Sequence, residues 1–131
     1  MTRELELLSR QAESACNIAM ERADYEQRRY SGALRYLKIV SELAQHRQDA
    51  VERARAVGAA DTELARLVAL AAEGLRLKAT RSREARDARR RLLRACEESR
   101  AASEARRRAH EAARGNDSPY LTLVPTQGRS A

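Results

Sequence analysis

Residues that break helices gather at two places in this chain, Gly58-Ala59-Ala60-Asp61 near the middle and Gly115-Asn116-Asp117-Ser118-Pro119 near the end. Proline is absent before Pro119, so no proline interrupts a helix on either side of the first cluster. A glycine just past a periodic stretch, followed by an acidic residue, is the pattern of one helix stopping and another starting. The expectation is an all-α fold, a long antiparallel two-helix coiled-coil hairpin with a short irregular C-terminal tail. Helix 1 is expected over about 2–57, the turn over 58–61, helix 2 over about 61–114, and a flexible tail over 115–131. Thr2 and Asp61 are the expected N-caps.

Composition supports a thin structure over a thick one. A chain of 131 residues is long enough to bury a compact core, yet it has no Trp, no Phe and only four Tyr, and alanine supplies much of its apolar fraction. Charged residues make up 34%, which suits a coiled coil with a large solvated surface. Such polarity also accompanies disorder. Here, however, Ala, Leu, Arg and Glu favour helix and the apolar residues recur with a period.

That period is a heptad in both arms. In the first, a seam runs through Leu5, Leu8, Ala12, Ala15, Ala19, Ala33, Tyr36, Val40, Leu43, Ala50, Ala54 and Val57. The same register lands on Arg22, Glu26 and Arg29, and Ser31-Gly32 follows, which predicts a bend or looser packing around residues 22 to 32. In the second arm the seam is Leu64, Leu67, Ala71, Gly74, Lys78, Arg81, Ala85, Ala88, Leu92, Ala95, Ser99, Ala102, Ala109 and Ala113. Arms of similar length can pair antiparallel from turn to ends. Alanine seams bury little area, at roughly 25 cal/mol per Å², so marginal stability in isolation is expected.

Two stretches stand out as candidate binding surfaces. Between Leu64 and Leu77, apolar residues occupy both flanks of the seam as well as the seam itself: Leu64 and Leu67 on it, Val68 and Leu75 on one side, Leu70 and Leu77 on the other. A two-helix seam needs only a narrow stripe, so this width fits either a thick end of the hairpin core or a tip that meets a third surface. Further along, residues 76 to 114 hold 14 basic against 6 acidic residues and so carry the excess behind the net charge of +7. Arg89, Arg90, Arg91, Arg94, Arg106, Arg107 and Arg108 are local concentrations able to dock on an acidic rim. Interspersed acids make a self-neutralised helix face the alternative. No aromatic residues interleave with these arginines, so nucleic-acid stacking has no support, and a nucleic-acid or membrane-surface role is the weaker reading.

Chemistry finds no foothold. A Gly-rich phosphate loop, a nucleophile elbow and a His-Glu-x-x-His pattern are all missing, so no catalytic residue and no cofactor is assigned and the chain reads as a non-enzyme. Cys16, Cys96, His46 and His110 are the conceivable metal or redox set. Antiparallel pairing places Cys96 opposite Asp24, about eight residues or roughly 12 Å from Cys16, too far for a disulfide or a shared zinc. No metal site is therefore assigned. No apolar run approaches the roughly 20 residues of a bilayer span, and no secretory signal pattern precedes the first arm, so a cytoplasmic protein is expected. The tail segment Tyr120-Leu121-Thr122-Leu123-Val124 has β-prone character and reads either as a strand for a partner's sheet edge or as a mobile terminus.

In layout and composition, residues 2 to 114 resemble the FliJ/YscO (SctO) stalk proteins of flagellar and type III secretion export machines: a small basic two-helix coiled coil with an apolar-enriched turn end and an arginine-rich second arm. The resemblance implies a protein whose free ends enter the pore of a hexameric export ATPase. It implies that the Arg91 to Arg108 end meets that ATPase, and that the Leu64 to Leu77 end meets an export-gate or chaperone protein, at the cytoplasmic face of a membrane-embedded machine. A monomer follows from that reading. The rival expectation is a self-associating coiled coil, a homodimer forming a four-helix bundle through the wide apolar end.

Overall fold

The computed structural model describes residues 2–115 and is an all-α helical hairpin. Helix α1 runs Thr2–Ala56 and helix α2 runs Asp61–Gly115, packed against each other. The boundaries fall within a residue of those expected. Gly115 is the last helical residue, and the expected tail beyond it, with its Tyr120–Val124 segment, lies outside the described residues.

The turn is built as its residues dictate. Gly58 adopts φ of 68°, the left-handed conformation that costs other residues about 1 kcal/mol or more. The Gly58 amide donates to the Arg55 carbonyl at 3.2 Å and the Ala59 amide to the Ala54 carbonyl at 3.0 Å, the paired bonds that close a helix C-terminus around such a glycine. On the other side, the Leu64 amide donates to the Ala60 carbonyl at 2.9 Å, so Ala60 holds the N-cap position of α2. Asp61, the expected cap, is one residue inside the helix. There it joins Glu63 as an acidic residue in the first turn, favourably placed against the helix dipole.

The described residues divide into two compact units, 2–24 with 93–115 and 25–92. In the second, Val40, Ala44, Val51 and Ala54 of α1 are buried with Ala71, Ala85 and Ala88 of α2. In the first, Ser9 and Cys16 are buried with Ala95. Ser9 Oγ lies 2.8 Å from His110 Nδ1, and Cys16 Sγ lies 3.5 Å from Ser103 Oγ: seven residues on along α1, seven back along α2. The second unit keeps the same antiparallel step, with Arg81 stacked on the Tyr36 ring at 5.1 Å and Arg47 bonded to the Leu70 carbonyl.

The α2 seam is the one expected from sequence except at Lys78, which is exposed, while the α1 seam needs correction. One of its rows, Ala12, Ala19, Glu26, Ala33, Val40 and Ala54, is buried or half-buried as expected. Its other row is displaced by one residue: Ser9, Cys16, Ala23, Tyr30, Leu37, Ala44 and Val51 face α2, and Leu8, Ala15, Arg22, Arg29, Tyr36, Leu43 and Val57 are exposed. Both registers satisfy the 3-4 spacing. The observed one leaves Arg22 and Arg29 in water, and at Ser9, Ala23 and Ala44 it turns inward smaller side chains than Leu8, Arg22 and Leu43 of the expected row. Ala23 in the first unit and Tyr30 in the second are the half-buried members of this row between residues 22 and 32, and α1 is helical throughout that stretch.

Candidate functional site

The features that could recognise a partner concentrate in the unit formed by residues 25–92. Here the wide apolar stretch resolves into core and surface. Leu64 and Leu67 are half-buried seam residues. Val68 and Leu75, one step around the helix, keep 40% and 47% of their surface exposed, and Leu77 on the other flank keeps 39%. Leu70 is half-buried, and its backbone carbonyl accepts a hydrogen bond from Arg47 Nη1 at 3.0 Å. On α1, Tyr36, Ile39 and Leu43 lie on the exposed side of Leu37 and Val40. Apolar surface of this kind stabilises a fold only when something covers it.

Val68 and Leu75 form one wall of a groove of about 220 Å³, with Ala71 and Ala72 beside them. Its other wall is Gln48, Val51, Glu52 and Arg55 of α1. Leu70 and Leu77 do not line it, so the two flanks recognised in the sequence are separate surfaces.

Arg47 occupies a seam position that apolar pattern matching passes over. Gly74 makes room for it: a Cβ at Gly74 would stand 3.4 Å from Arg47 Cδ and 3.4 Å from Ala44 Cα. The signal available in the sequence was the seven-residue step from Val40, which lands on Arg47 opposite a seam glycine. Near the turn, Glu63 and Arg66 pair at 2.7 Å on exposed surface. The hydrogen bond from Arg66, reinforced by its charge, holds the Glu63 carboxyl below its ordinary value of 4.5, and Glu63 in turn raises Arg66.

Arg89, Arg90 and Arg91 belong to the unit of residues 25–92, and Arg94, Arg106, Arg107 and Arg108 to the other. Arg90 lies 3.4 Å from Asp87 and Arg108 lies 3.9 Å from Glu104, both exposed pairs worth about 0–1 kcal/mol. Arg91 Nε stands 3.8 Å from the buried Glu26 Oε2, beyond hydrogen-bond length, and that oxygen has no hydrogen-bond partner among the described residues. Arg106 is half-buried because the heptad places it on the α2 seam between Ala102 and Ala109. Arg89, Arg94 and Arg107 are exposed with no carboxylate within 4.0 Å among the described residues.

Cys16 is fully buried beside Ser103 and Met20, Cys96 is exposed, and both are free thiols. Among the described residues no group of three or more His, Cys, Asp or Glu side chains is placed to hold a metal ion, and no helix is long and apolar enough to cross a membrane. Compared with known families, curated proteins and solved structures, the chain matches none.

Proposed function

We propose that this chain is a non-enzymatic coiled-coil stalk or adaptor of a type III secretion export apparatus, acting in the cytoplasm, where it binds the export ATPase ring and links it to an export-gate or chaperone protein. One observation carries the adaptor part of this reading: in the unit of residues 25–92, sizeable apolar side chains flank a complete seam and remain exposed. A hairpin that has closed its own core with alanines has no internal use for Val68, Leu75 and Leu77 on its surface. The export-apparatus part rests on the resemblance in layout, with the exposed Arg94 and Arg107 as the residues offered to the ATPase.

The test is co-purification with a cognate export ATPase, followed by its rate of ATP hydrolysis. Binding at low salt and a faster rate are expected, with Arg94→Glu and Arg107→Glu weakening both. Absence of binding at low salt, where charge attraction is strongest, overturns the assignment to an export apparatus.

A further inference from the structure

We infer that the groove beside Val68 and Leu75 is the seat of a third helix, supplied by a partner protein and bearing acidic residues along the margins of its apolar stripe. This deepens the adaptor reading and rests on it for the existence of a protein partner.

The inference starts from a second repeat in α2. One step around from the seam, Ala65, Val68, Ala72, Leu75, Ala79 and Ser82 follow each other at alternating spacings of three and four. A helix with one partner needs a single such stripe; a helix with two partners needs two. The matching repeat on α1 is Ser31, Leu34, Lys38, Ser41, Gln45, Gln48, Glu52 and Arg55, of which Gln48, Glu52 and Arg55 line the groove. Positions beside the seam of a two-helix coil ordinarily carry Glu and Lys, whose stems cover it while their charges stay in water. Here Leu34, Ser41, Gln48, Val68, Leu75 and Ser82 hold those places without a charge. The groove of about 220 Å³ is open, with Val68 and Leu75 in it as exposed apolar contacts, and Leu34 is exposed further along the α1 repeat.

Charge selects the occupant. Within the groove Arg55 and Glu52 are the charged lining residues; beyond it, Lys38 on the α1 repeat and Arg86 and Arg89 on the α2 repeat add three cations and no carboxylate. None of the four cations has a carboxylate within 4.0 Å among the described residues. The unit as a whole, residues 25–92, holds 16 basic and 9 acidic residues, whereas the other unit holds 10 of each. Along the two repeats a second copy of the same basic unit meets like charge, and a helix with acidic margins meets opposite charge. Apolar anchors at helical spacing in a groove with charged margins is a recurrent mode of helix capture.

The experiment presents the full chain to a display library of amphipathic helices about 20 residues long, roughly six turns, with leucine along one stripe and Glu, Gln or Lys at random beside it. Glu-flanked helices should be enriched over Lys-flanked ones by at least about tenfold, a difference of about 1.4 kcal/mol. Val68→Glu with Leu75→Glu should abolish the enrichment, and Arg86→Glu with Arg89→Glu should remove the preference for Glu. Both double variants alter exposed residues, and circular dichroism checks that each keeps the helicity of the parent. The inference is overturned if no helix is enriched, if Lys-flanked helices win, if neither variant changes the outcome, or if the chain binds only vesicles of phosphatidylglycerol and phosphatidylcholine. The outcome is separable from the export-ATPase test: the Val68→Glu, Leu75→Glu variant should still bind the ATPase. Helix binding without ATPase binding removes the export assignment alone, and the reverse removes the groove alone.

Discussion

Single residues in this hairpin are decided by how closely two small-residue faces approach. Gly58 and Gly32 show opposite uses of the same amino acid. Gly58 has φ of 68°, whereas Gly32 sits inside α1 with no atom within 4 Å of where a Cβ would be. Gly58→Ala should therefore destabilise by about 1 kcal/mol, and Gly32→Ala should stabilise by about 0.5–1 kcal/mol, because alanine fits helix and loses less backbone entropy. Chemical denaturation of the two variants beside the parent chain checks both signs. Burial separates the cysteines as sharply. Cys16 has no exposed surface and Cys96 is exposed, so a maleimide should label Cys96 at once and Cys16 only as fast as the hairpin opens. Prompt labelling of both in the native protein would mean that Cys16 is not on the seam. This residue also shows where sequence reading stopped: its neighbour Ala15 satisfies the same repeat, and only the partner helix determines which of the two turns inward.

At the level of elements, what could be read from the sequence depended on how different the competing registers were. In α2 the row of Leu64, Ala71, Ala85, Leu92 and Ser99 outlasts its rival, since the neighbouring repeat of Ala65, Val68, Ala72, Leu75 and Ala79 gives way to Arg86 and Arg89, and the seam followed from its length. In α1, Leu8, Tyr36 and Leu43 form a bulkier row one residue away from Ser9, Leu37 and Ala44, and size argues for the wrong one. A hydrophobic pattern records which residues avoid water; it does not record how much room the other helix leaves. The helix ends were legible from Gly58 and the acidic residues near it, except that the cap of α2 is Ala60, a poor cap in a good position. Ala60→Ser would complete a Ser-Asp-Thr-Glu capping box with Asp61, Thr62 and Glu63, and should add about 1 kcal/mol. A rise in melting temperature checks it, and an unchanged value would mean that Glu63 stays with Arg66. The Glu63 and Arg66 pair has a pH signature of its own. Because the folded carboxyl titrates below its unfolded value near 4.5, its contribution is present above that pH and is lost as pH falls through the lower folded value. Arg66→Gln should return the Glu63 titration, followed by carboxyl NMR, to the ordinary value.

For the whole molecule, the decisive quantity is the uneven charge set against the exposed apolar surface. Sequence counts located the excess on the second arm, but the division of the chain assigns it differently: residues 25–92 carry the entire +7, with α1 contributing through Arg28, Arg29, Arg35 and Lys38, and the remaining residues are neutral. The same unit bears Tyr36, Ile39, Val68, Leu75 and Leu77 on its surface. Apolar attraction between two copies therefore has to overcome the repulsion of two strongly basic units, and that repulsion is longest in range at low salt. At micromolar concentration and low ionic strength the chain should sediment as a single species of 14.7 kDa. Raising salt screens the repulsion, so if any dimer forms it should form there, and Val68→Glu with Leu75→Glu should not affect the monomer at low salt. The monomer should also melt without partners below about 70 °C, because an alanine seam buries little area per turn. A stable dimer at low salt, melting sharply above that temperature, would show that the flanking residues serve a four-helix bundle of this chain with itself, and would remove the vacancy on which a partner helix depends.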